Sequence, residues 1–320
     1  MTAIHGNLSH AMRDNYNEHG VDEYYKKVAA TYRNPFFPGI KKVIWTFMNR
    51  WWEEEGKDLY GNEVTVSSGL RALDMAAGSG EATLCLLEWA TAGQRSLCSK
   101  SASSVSTNSS LDDPLAALRA VPSISTGTSS RPAFIPPNAR RNTPSGAGGV
   151  SNRKGKSVFG SMDPPQLPKN FGIDIIATDP YTSPAYTERT TRPCHELSFT
   201  DLANGLLPPN LSSISDEGQP IWDMIICSFA LHLVTSPSEL FALLYELSGK
   251  AKWLVIVAPH KKPEIKETWG WLRYDIASWS PAGEGKLYAG GKGNEDDDEE
   301  TELEIIRDKV KLRLYRSNAF

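Results

Sequence analysis

Two short stretches of the chain combine glycines and carboxylates in patterns that could bind a nucleotide-like ligand. The first is residues 73–83, LDMAAGSGEAT, in which Asp74 precedes a turn containing Gly78 and Gly80. Glycines let backbone amides approach a ligand closely, because no Cβ obstructs the contact. A carboxylate beside such a turn would repel a pyrophosphate and attract an ammonium or sulfonium group. The alternative interpretation is an ordinary glycine-rich turn between a strand and a helix.

The second stretch, residues 173–179, reads IDIIATD and ends in Asp179. In an open α/β sheet the ligand crevice lies at the carboxyl ends of the strands, so this carboxylate would reach it. There it could accept hydrogen bonds from both hydroxyls of a ribose. The alternative is that Asp179 caps a helix that begins after Pro180.

Short apolar runs and helix-like stretches alternate along most of the chain. This alternation predicts a doubly wound, mostly parallel α/β sheet. The predicted strands are residues 70–75, 173–178, 224–227 and 253–258, and the predicted helices are residues 82–90, 183–190 and 238–247. Two further runs, residues 303–306 and 310–315, predict a C-terminal antiparallel hairpin that closes the edge of the sheet.

Two segments depart from this pattern in composition. Residues 95–169 hold ten Lys or Arg against three Asp and are rich in Ser, Thr, Pro and Gly. We therefore expect a long disordered insertion between the first helix and the second strand. Residues 290–302 carry a run of acidic side chains whose mutual repulsion predicts a solvated loop. Residues 1–60 are expected to form an N-terminal helical cap.

The composition of the chain argues against several classes of protein. Its 320 residues carry a formal net charge of −4, which gives no strong signal for nucleic-acid binding. The four cysteines show no Cys-x-x-Cys spacing, and no metal site is predicted. No apolar run approaches the length that spans a membrane, and the N-terminus lacks the order of a secretory signal. We expect a cytoplasmic protein, with the nucleus as the alternative.

Four motifs follow one another in an order typical of one enzyme family. They are residues 73–80 with the pattern Leu-Asp-x-Ala-x-Gly-x-Gly, the strand ending in Asp179, residues 198–202 (SFTDL) and residues 222–232 (WDMIICSFALH). With them the chain resembles class I S-adenosylmethionine-dependent methyltransferases, which have a seven-stranded Rossmann-like sheet and a terminal hairpin. The resemblance covers nearly the whole chain apart from the Ser-rich insertion. It implies a single methyltransferase domain over residues 1–320.

The resemblance also implies which residues bind the cofactor S-adenosylmethionine. It implies that Asp74, Gly78 and Gly80 contact the methionine and ribose portions and that Asp179 binds the ribose. It also implies that Asp201 contacts the adenine amino group and that Ser228 and Ala230 border the methyl group. The predicted set is completed by Ala76, Pro180, Leu202 and Tyr32. The family usually has glycine in place of Ala76, and we expect the extra methyl to be tolerated if this residue keeps a negative φ.

The N-terminal pattern Tyr25-x-x-x-Ala29-x-x-Tyr32 is similar to the helix that closes over the cofactor in many small-molecule methyltransferases. Residues four and seven apart share one helical face, so these three side chains can point together at a pocket. The same stripe is also typical of a helix packed against the core, and both interpretations stay open.

The activity that the resemblance implies is methyl transfer by in-line displacement to a small-molecule acceptor, with a protein acceptor left open. This chemistry requires alignment and exclusion of water, and no obligatory metal or covalent nucleophile. If the acceptor is a hydroxyl, His232 or His260 could act as a general base, although we favour a structural role for each. Two other classes remain: a non-catalytic binding or regulatory protein with this fold, and a nicotinamide-dependent oxidoreductase.

Aromatic residues cluster in two regions, one near the N-terminus and one after residue 258. They could wall an apolar or cationic acceptor site by apolar and cation–π contacts. They could instead pack an N-terminal helix onto the core, which is the interpretation we favour. The residues concerned are Phe36, Phe37, Trp45, Trp51, Trp52, Trp269, Trp271, Tyr274 and Trp279.

Overall fold

Strands and helices alternate through the part of the chain that the computed structural model describes, residues 21–61, 69–103, 161–209, 218–283 and 303–320. The helices are α1 (Val21–Val28), α2 (Phe37–Trp51), α3 (Lys57–Tyr60), α4 (Glu81–Ser103), α5 (Ser183–Thr190), α6 (Phe199–Ala203) and α7 (Pro237–Ser248). The strands are β1 (Leu70–Met75), β2 (Ile173–Thr178), β3 (Cys194–His195), β4 (Trp222–Ser228), β5 (Ala251–Ala258), β6 (Trp271–Asp275), β7 (Ser280–Pro281), β8 (Glu304–Arg307) and β9 (Val310–Ser317). None of the described helices is long and apolar enough to cross a membrane.

The nine strands of the described residues form one sheet whose central part is parallel. Strands β1 to β5 all run in the same direction, in the order β3-β2-β1-β4-β5. β9 is antiparallel to β5 on one side and to β6 and β8 on the other, and β7 pairs with β6. The predicted doubly wound, mostly parallel α/β sheet with antiparallel C-terminal strands is confirmed.

Apolar side chains cover both faces of the parallel strands, and successive residues of β1 show how the faces divide. Ala72 packs with residues of α2 and α4, whereas Leu73 packs with residues of α6 and α7. α4 follows β1 and α7 follows β4, so the chain leaves these two neighbouring strands towards opposite faces. A crevice therefore opens between them at the carboxyl edge of the sheet.

The N-terminal aromatic residues pack α2 against the sheet. Residues Ile40, Val43, Ile44, Phe47, Met48 and Trp51 form its buried stripe, with the three- and four-residue spacing of an amphipathic helix. Trp51 and Trp52 are both buried because a π-helical turn, Trp52–Gly56, brings two consecutive residues inward. Gly56 is required in this turn, since a Cβ would lie 2.5 Å from Cε3 of Trp52. The aromatic residues after β5 extend the same packing, as Trp279 contacts Trp253 and Phe47.

The expected disordered insertion is narrower in the structure than residues 95–169. Its first part belongs to α4, which continues to Ser103. Its last part packs on the same unit, where Leu167 is fully buried and donates its N–H to the carbonyl of Gly93 at 3.3 Å. Residues 104–160 lie outside the described residues, as do the predicted acidic loop at 290–302 and residues 1–20.

The C-terminal hairpin differs in one respect from the expectation. β8 and β9 form the predicted antiparallel pair, but they do not close the sheet edge, because β9 lies between β5 and β6. The apolar content of β9 explains this, since Leu312, Leu314 and Tyr315 are all buried, as befits a strand covered on both faces.

The turn of this hairpin generates a prediction about stability. Asp308 and Lys309 connect β8 to β9 with φ values of 47° and 65°, a conformation that costs a side chain with a Cβ about 1 to 2 kcal/mol. Lys309→Gly should therefore raise the free energy of unfolding by about 1 kcal/mol after the greater entropy of the unfolded glycine chain is subtracted. Urea denaturation measures this, with Lys309→Ala as the control that keeps the Cβ. Equal stability of the two variants would contradict the prediction.

Candidate functional site

A cavity of about 580 Å³ lies at the carboxyl edge of the sheet, where β1 and β4 diverge. Residues from the loops after β1, β2, β3 and β4 line it, together with residues of the N-terminal segment. Eight of the residues predicted to bind the cofactor are among them: Tyr32, Ala76, Gly78, Asp179, Pro180, Leu202, Ser228 and Ala230. Asp74, Gly80 and Asp201 do not line the cavity.

The glycine loop after β1 has a left-handed backbone at three positions. Ala76, Gly78 and Gly80 have φ values of 54°, 59° and 84°. Our condition for tolerating Ala76, a negative φ, is therefore not met, and this alanine keeps its Cβ in a strained conformation. Gly78 faces the cavity, where a Cβ would lie 3.0 Å from the ring of Tyr32. Gly80 packs instead under α5, since a Cβ there would lie 2.4 Å from Thr190.

Asp179 lies at the end of β2 and fulfils part of both interpretations made from the sequence. Its Oδ1 accepts the backbone N–H groups of Tyr181 and Thr182, at 2.9 and 2.7 Å, which caps the approach to α5. Its Oδ2 accepts the N–H of Gly78 at 3.1 Å, so the same carboxylate ties the loop after β2 to the glycine loop. Asp179 also lines the cavity, and a carboxylate has about four acceptor positions, so one remains for a ligand.

Asp74 does not point at the cavity as we expected from the sequence. It is 1% exposed, and its Oδ2 accepts both the N–H and the Oγ1–H of Thr83, at 3.1 and 2.7 Å, which anchors the first turns of α4. Its Oδ1 is buried without a partner among the described residues. Burial raises the pKa of Asp74 to about 7, against the lowering effect of the two Thr83 hydrogen bonds. The strand directs this side chain towards α4, so it supports the loop from behind.

The Asp201 side chain likewise caps its own helix and does not line the cavity. Its Oδ2 accepts the N–H and the hydroxyl of Ser198, while the hydroxyl of Ser198 accepts the N–H of Asp201, which forms a capping box at the start of α6. The hydrogen bonds from Ser198 lower the pKa of Asp201. Asp201 thus does not line the cavity, which the loop reaches through Ser198, Thr200 and Asn204.

The two candidate general bases, His232 and His260, also lie outside the cavity lining. Their rings are 6.1 Å apart at the carboxyl ends of β4 and β5. The Nδ1 atom of His232 is buried without a partner among the described residues, and burial, followed by the nearby His260, lowers the pKa of His232. His260 is exposed. Neither histidine is therefore placed to take a proton from a molecule in the cavity.

Several cavity residues carried no sequence signal that we used. Glu81 follows Gly80 directly, so an acidic residue next to the glycine loop was the available signal. Phe229 has a φ of 58°, which is rare for an aromatic residue, and its ring stacks on Phe36 at 5.3 Å between centroids. The complete set of additional lining residues with polar or aromatic side chains is Tyr25, Asn34, Glu81, Thr178, Tyr181, Ser198, Phe199, Thr200, Asn204, Phe229 and Glu239.

The charges around the cavity have one sign. Among the described residues, its lining contains the carboxylates of Glu81, Asp179 and Glu239 and no Lys, Arg or His side chain. A phosphate or carboxylate ligand would therefore find no side-chain cation in this lining, whereas a cationic ligand would be attracted.

The buried Asp74 carboxyl generates a prediction about pH. The folded protein holds a proton on Asp74 up to about pH 7, whereas the unfolded chain releases it near the ordinary value of 3.8. The contribution of this group to stability is thus full below about pH 4 and is lost as the pH rises through 7. Asp74→Asn does not titrate, so its free energy of unfolding should exceed that of the natural protein at pH 8, by about 1 kcal/mol or more. At pH 5 the difference should shrink.

Denaturation by urea between pH 5 and pH 8 measures this difference. Asp174→Asn is the matched control, because Asp174 is an exposed aspartate on the neighbouring strand β2. A constant difference between the Asp74→Asn variant and the natural protein across this range would contradict the raised pKa.

Comparisons with known proteins show one relative of similar length and two solved structures. The fission yeast protein "Uncharacterized protein C17A5.05c" from Schizosaccharomyces pombe is 35% identical over 279 residues, which are 87% of each chain. The sugar N-methyltransferase KedS8 from Streptoalloteichus sp ATCC 53650 aligns with 80% of this chain, at 12% identity and a TM-score of 0.26, and this chain spans 57% of its length. A TehB-like SAM-dependent methyltransferase from Corynebacterium glutamicum ATCC 13032 aligns with 86% of this chain and 98% of its own, at 10% identity and a TM-score of 0.29.

No protein-family model matches the chain. The similarity to the yeast protein extends over 87% of both sequences. The chain therefore belongs to the family of the fission yeast protein C17A5.05c.

Proposed function

We propose that the chain is an S-adenosylmethionine-dependent methyltransferase that acts on a small-molecule acceptor. The observation that carries this proposal is the cavity at the β1–β4 divergence, which combines a left-handed glycine loop, the Asp179 carboxylate and a lining without basic side chains. S-adenosylmethionine carries a sulfonium, an ammonium and one carboxylate group, so its net charge is positive and an acidic lining suits it. The volume of the cavity, about 580 Å³, lies in the ordinary range for a small-molecule site.

The residues around the cavity fit the cofactor part by part. Gly78 lets the loop approach the methionine and ribose portions, because no Cβ fills the space below Tyr32. Asp179 has one acceptor position left for a ribose hydroxyl. The loop that carries Ser198, Thr200 and Asn204 offers polar groups for the adenine end. When bound, the cofactor would supply a methyl group on a positively charged sulfur that is a good leaving group.

The contribution of the protein itself is alignment and exclusion of water. Tyr25, Tyr32, Tyr181 and Phe229 surround the cavity with aromatic surface, which keeps water from the reacting groups. No residue of the lining is a histidine, so the geometry favours an acceptor that needs no imidazole base. An acceptor that is nucleophilic in its neutral form, such as an unprotonated amine, fits that requirement better than an alcohol.

A nicotinamide cofactor fits this lining less well. Its pyrophosphate carries two negative charges, and the lining offers three carboxylates and no side-chain cation among the described residues. In addition, the N–H of Gly78, which could bind a phosphate, is already donated to Asp179. S-adenosylhomocysteine and S-adenosylmethionine should therefore raise the melting temperature of the protein, and NAD should not. Stabilisation by NAD alone would overturn the proposal.

The ribose role of Asp179 generates a quantitative prediction. Asp179→Asn replaces a charged acceptor, so S-adenosylhomocysteine should bind about 10- to 150-fold more weakly, the equivalent of about 1.5 to 3 kcal/mol. Titration calorimetry measures the affinity, and thermal unfolding shows whether the variant remains folded. Asp174→Asn, on the exposed face of the same strand, should bind as the natural protein does. Unchanged affinity of a folded Asp179→Asn variant would refute the ribose contact.

Catalysis is tested separately from binding. Purified protein with S-adenosylmethionine labelled in its methyl group is incubated with an extract of cells that lack the protein. The label is then sorted among small molecules, protein and RNA. We expect transfer to small molecules. Cofactor binding without any transfer would favour the non-catalytic alternative.

A further inference from the structure

The carboxylate of Glu81 joins three separate segments at the cavity. Glu81 is the first residue of α4, is 4% exposed and lines the cavity. Its Oε1 accepts hydrogen bonds from the Ser79 hydroxyl at 2.6 Å, from Nη1 of Arg189 at 2.9 Å and from the backbone N–H of Asn34 at 3.0 Å. Its Oε2 accepts the N–H of Ser79 at 3.2 Å. One buried carboxylate thus holds the glycine loop, α5 and the N-terminal segment together.

The N-terminal segment, residues 25–37, contacts the loops that border the cavity. Tyr25 stacks on Tyr181 in the loop after β2, with 6.4 Å between ring centroids. Phe36 stacks on Phe229 in the loop after β4. Tyr25 and Tyr32 line the cavity as well. The segment therefore forms one wall of the cavity, and its displacement would widen the route by which a ligand enters or leaves.

The hydrogen bond from the N–H of Asn34 to Glu81 differs from the ring contacts of this segment because it is polar and buried. Arg189 binds the same Glu81 carboxylate that accepts the Asn34 N–H. Its guanidinium also contacts the Ser79 hydroxyl at 3.0 Å and lies 4.7 Å from the ring centroid of Phe37. Phe37 begins α2, so Arg189 supports both the carboxylate and the end of the segment that the carboxylate holds.

The energetics of a buried ion pair make this attachment sensitive to Arg189. A buried carboxylate is costly unless a cation compensates it, and removal of one partner leaves the other charge unpaired. The Glu81 side chain lies against the cavity, which is its nearest route to water. Without Arg189, the carboxylate would turn towards the cavity and release the Asn34 N–H.

We propose that Glu81 is a positioning residue that fastens residues 25–37 at the cavity, and that Arg189 holds the Glu81 carboxylate in place and so sets how fast a ligand is exchanged. The identity of that ligand rests on the proposed function, whereas the fastening does not. The pair acts on this wall of the cavity and takes no part in the methyl transfer.

The fastening is tested first without any ligand, by hydrogen exchange of the peptide that contains Asn34. In Arg189→Met the amides of residues 30–36 should exchange about tenfold faster or more than in the natural protein. Lys41→Met is the matched control, because Lys41 pairs at 2.7 Å with Glu88, which lies on the same helix α4 as Glu81 but at an exposed position. It should leave this exchange unchanged. Equal exchange in Arg189→Met and the natural protein would overturn the proposal.

A conservative variant separates fastening from general destabilisation. Arg189→Lys keeps the charge but presents a single ammonium, so it should restore part of the protection at residues 30–36. If Arg189→Met does not fold, the comparison of Arg189→Lys with the natural protein decides, and an intermediate exchange rate confined to residues 25–37 supports the fastening. Faster exchange spread evenly over the sheet strands would contradict it.

Ligand exchange is measured by stopped-flow fluorescence with S-adenosylhomocysteine. Because Arg189→Met loosens this wall, the association and dissociation rate constants should both rise, by about tenfold, and the equilibrium affinity should change much less. A loss of affinity with an unchanged association rate would contradict the proposal, because it indicates a lost ligand contact. If the natural protein does not bind S-adenosylhomocysteine, the proposed function fails, while the hydrogen-exchange comparison still decides the role of Glu81.

Discussion

The requirement that both faces of the parallel strands be covered determines where this protein can bind a ligand. Helix α4 covers one face after β1 and helix α7 covers the other after β4, although β1 and β4 are neighbours in the sheet. The chain therefore separates at the carboxyl ends of these two strands, and the gap becomes the cavity. The lining loops after β1, β2 and β4 are positioned by strands whose own location is fixed by burial.

Two of the six described non-glycine residues with positive φ lie at this same edge. Ala76 and Phe229 both have positive φ, although neither is glycine, and both line the cavity. Such conformations persist only where the surrounding structure fixes them. For Phe229, the N–H is donated to the carbonyl of Val257 at 2.7 Å and the ring is held against Phe36. The rim of the cavity is thus shaped by its neighbours and not by the local preferences of its residues.

The sequence predicted the fold well because the strands are buried on both faces and therefore read as uninterrupted apolar runs. β1, β2 and α5 have the predicted boundaries, whereas β4 and β5 begin two residues earlier than predicted, at Trp222 and Ala251, since polar Asp223 and Lys252 interrupt their apolar runs. The cavity residues were predicted where a motif carried them, as for Gly78 and Asp179. The orientations of Asp74 and Asp201 were not, because each depends on a hydroxyl several residues away that only the folded helix brings near. Nor could any local pattern connect Arg189 with Glu81, which are 108 positions apart.

The contact between Gly93 and Leu167 bears on how the chain could be re-engineered. Together with the bond from Gln94 to the carbonyl of Phe171, at 2.7 Å, it joins the two stretches that flank residues 104–160. Each of these stretches is anchored to the sheet by its own contacts, and neither depends on peptide continuity through 104–160 to stay in position. New termini introduced there should yield two fragments that reassemble on mixing, which makes this position a natural site for circular permutation or for a split reporter.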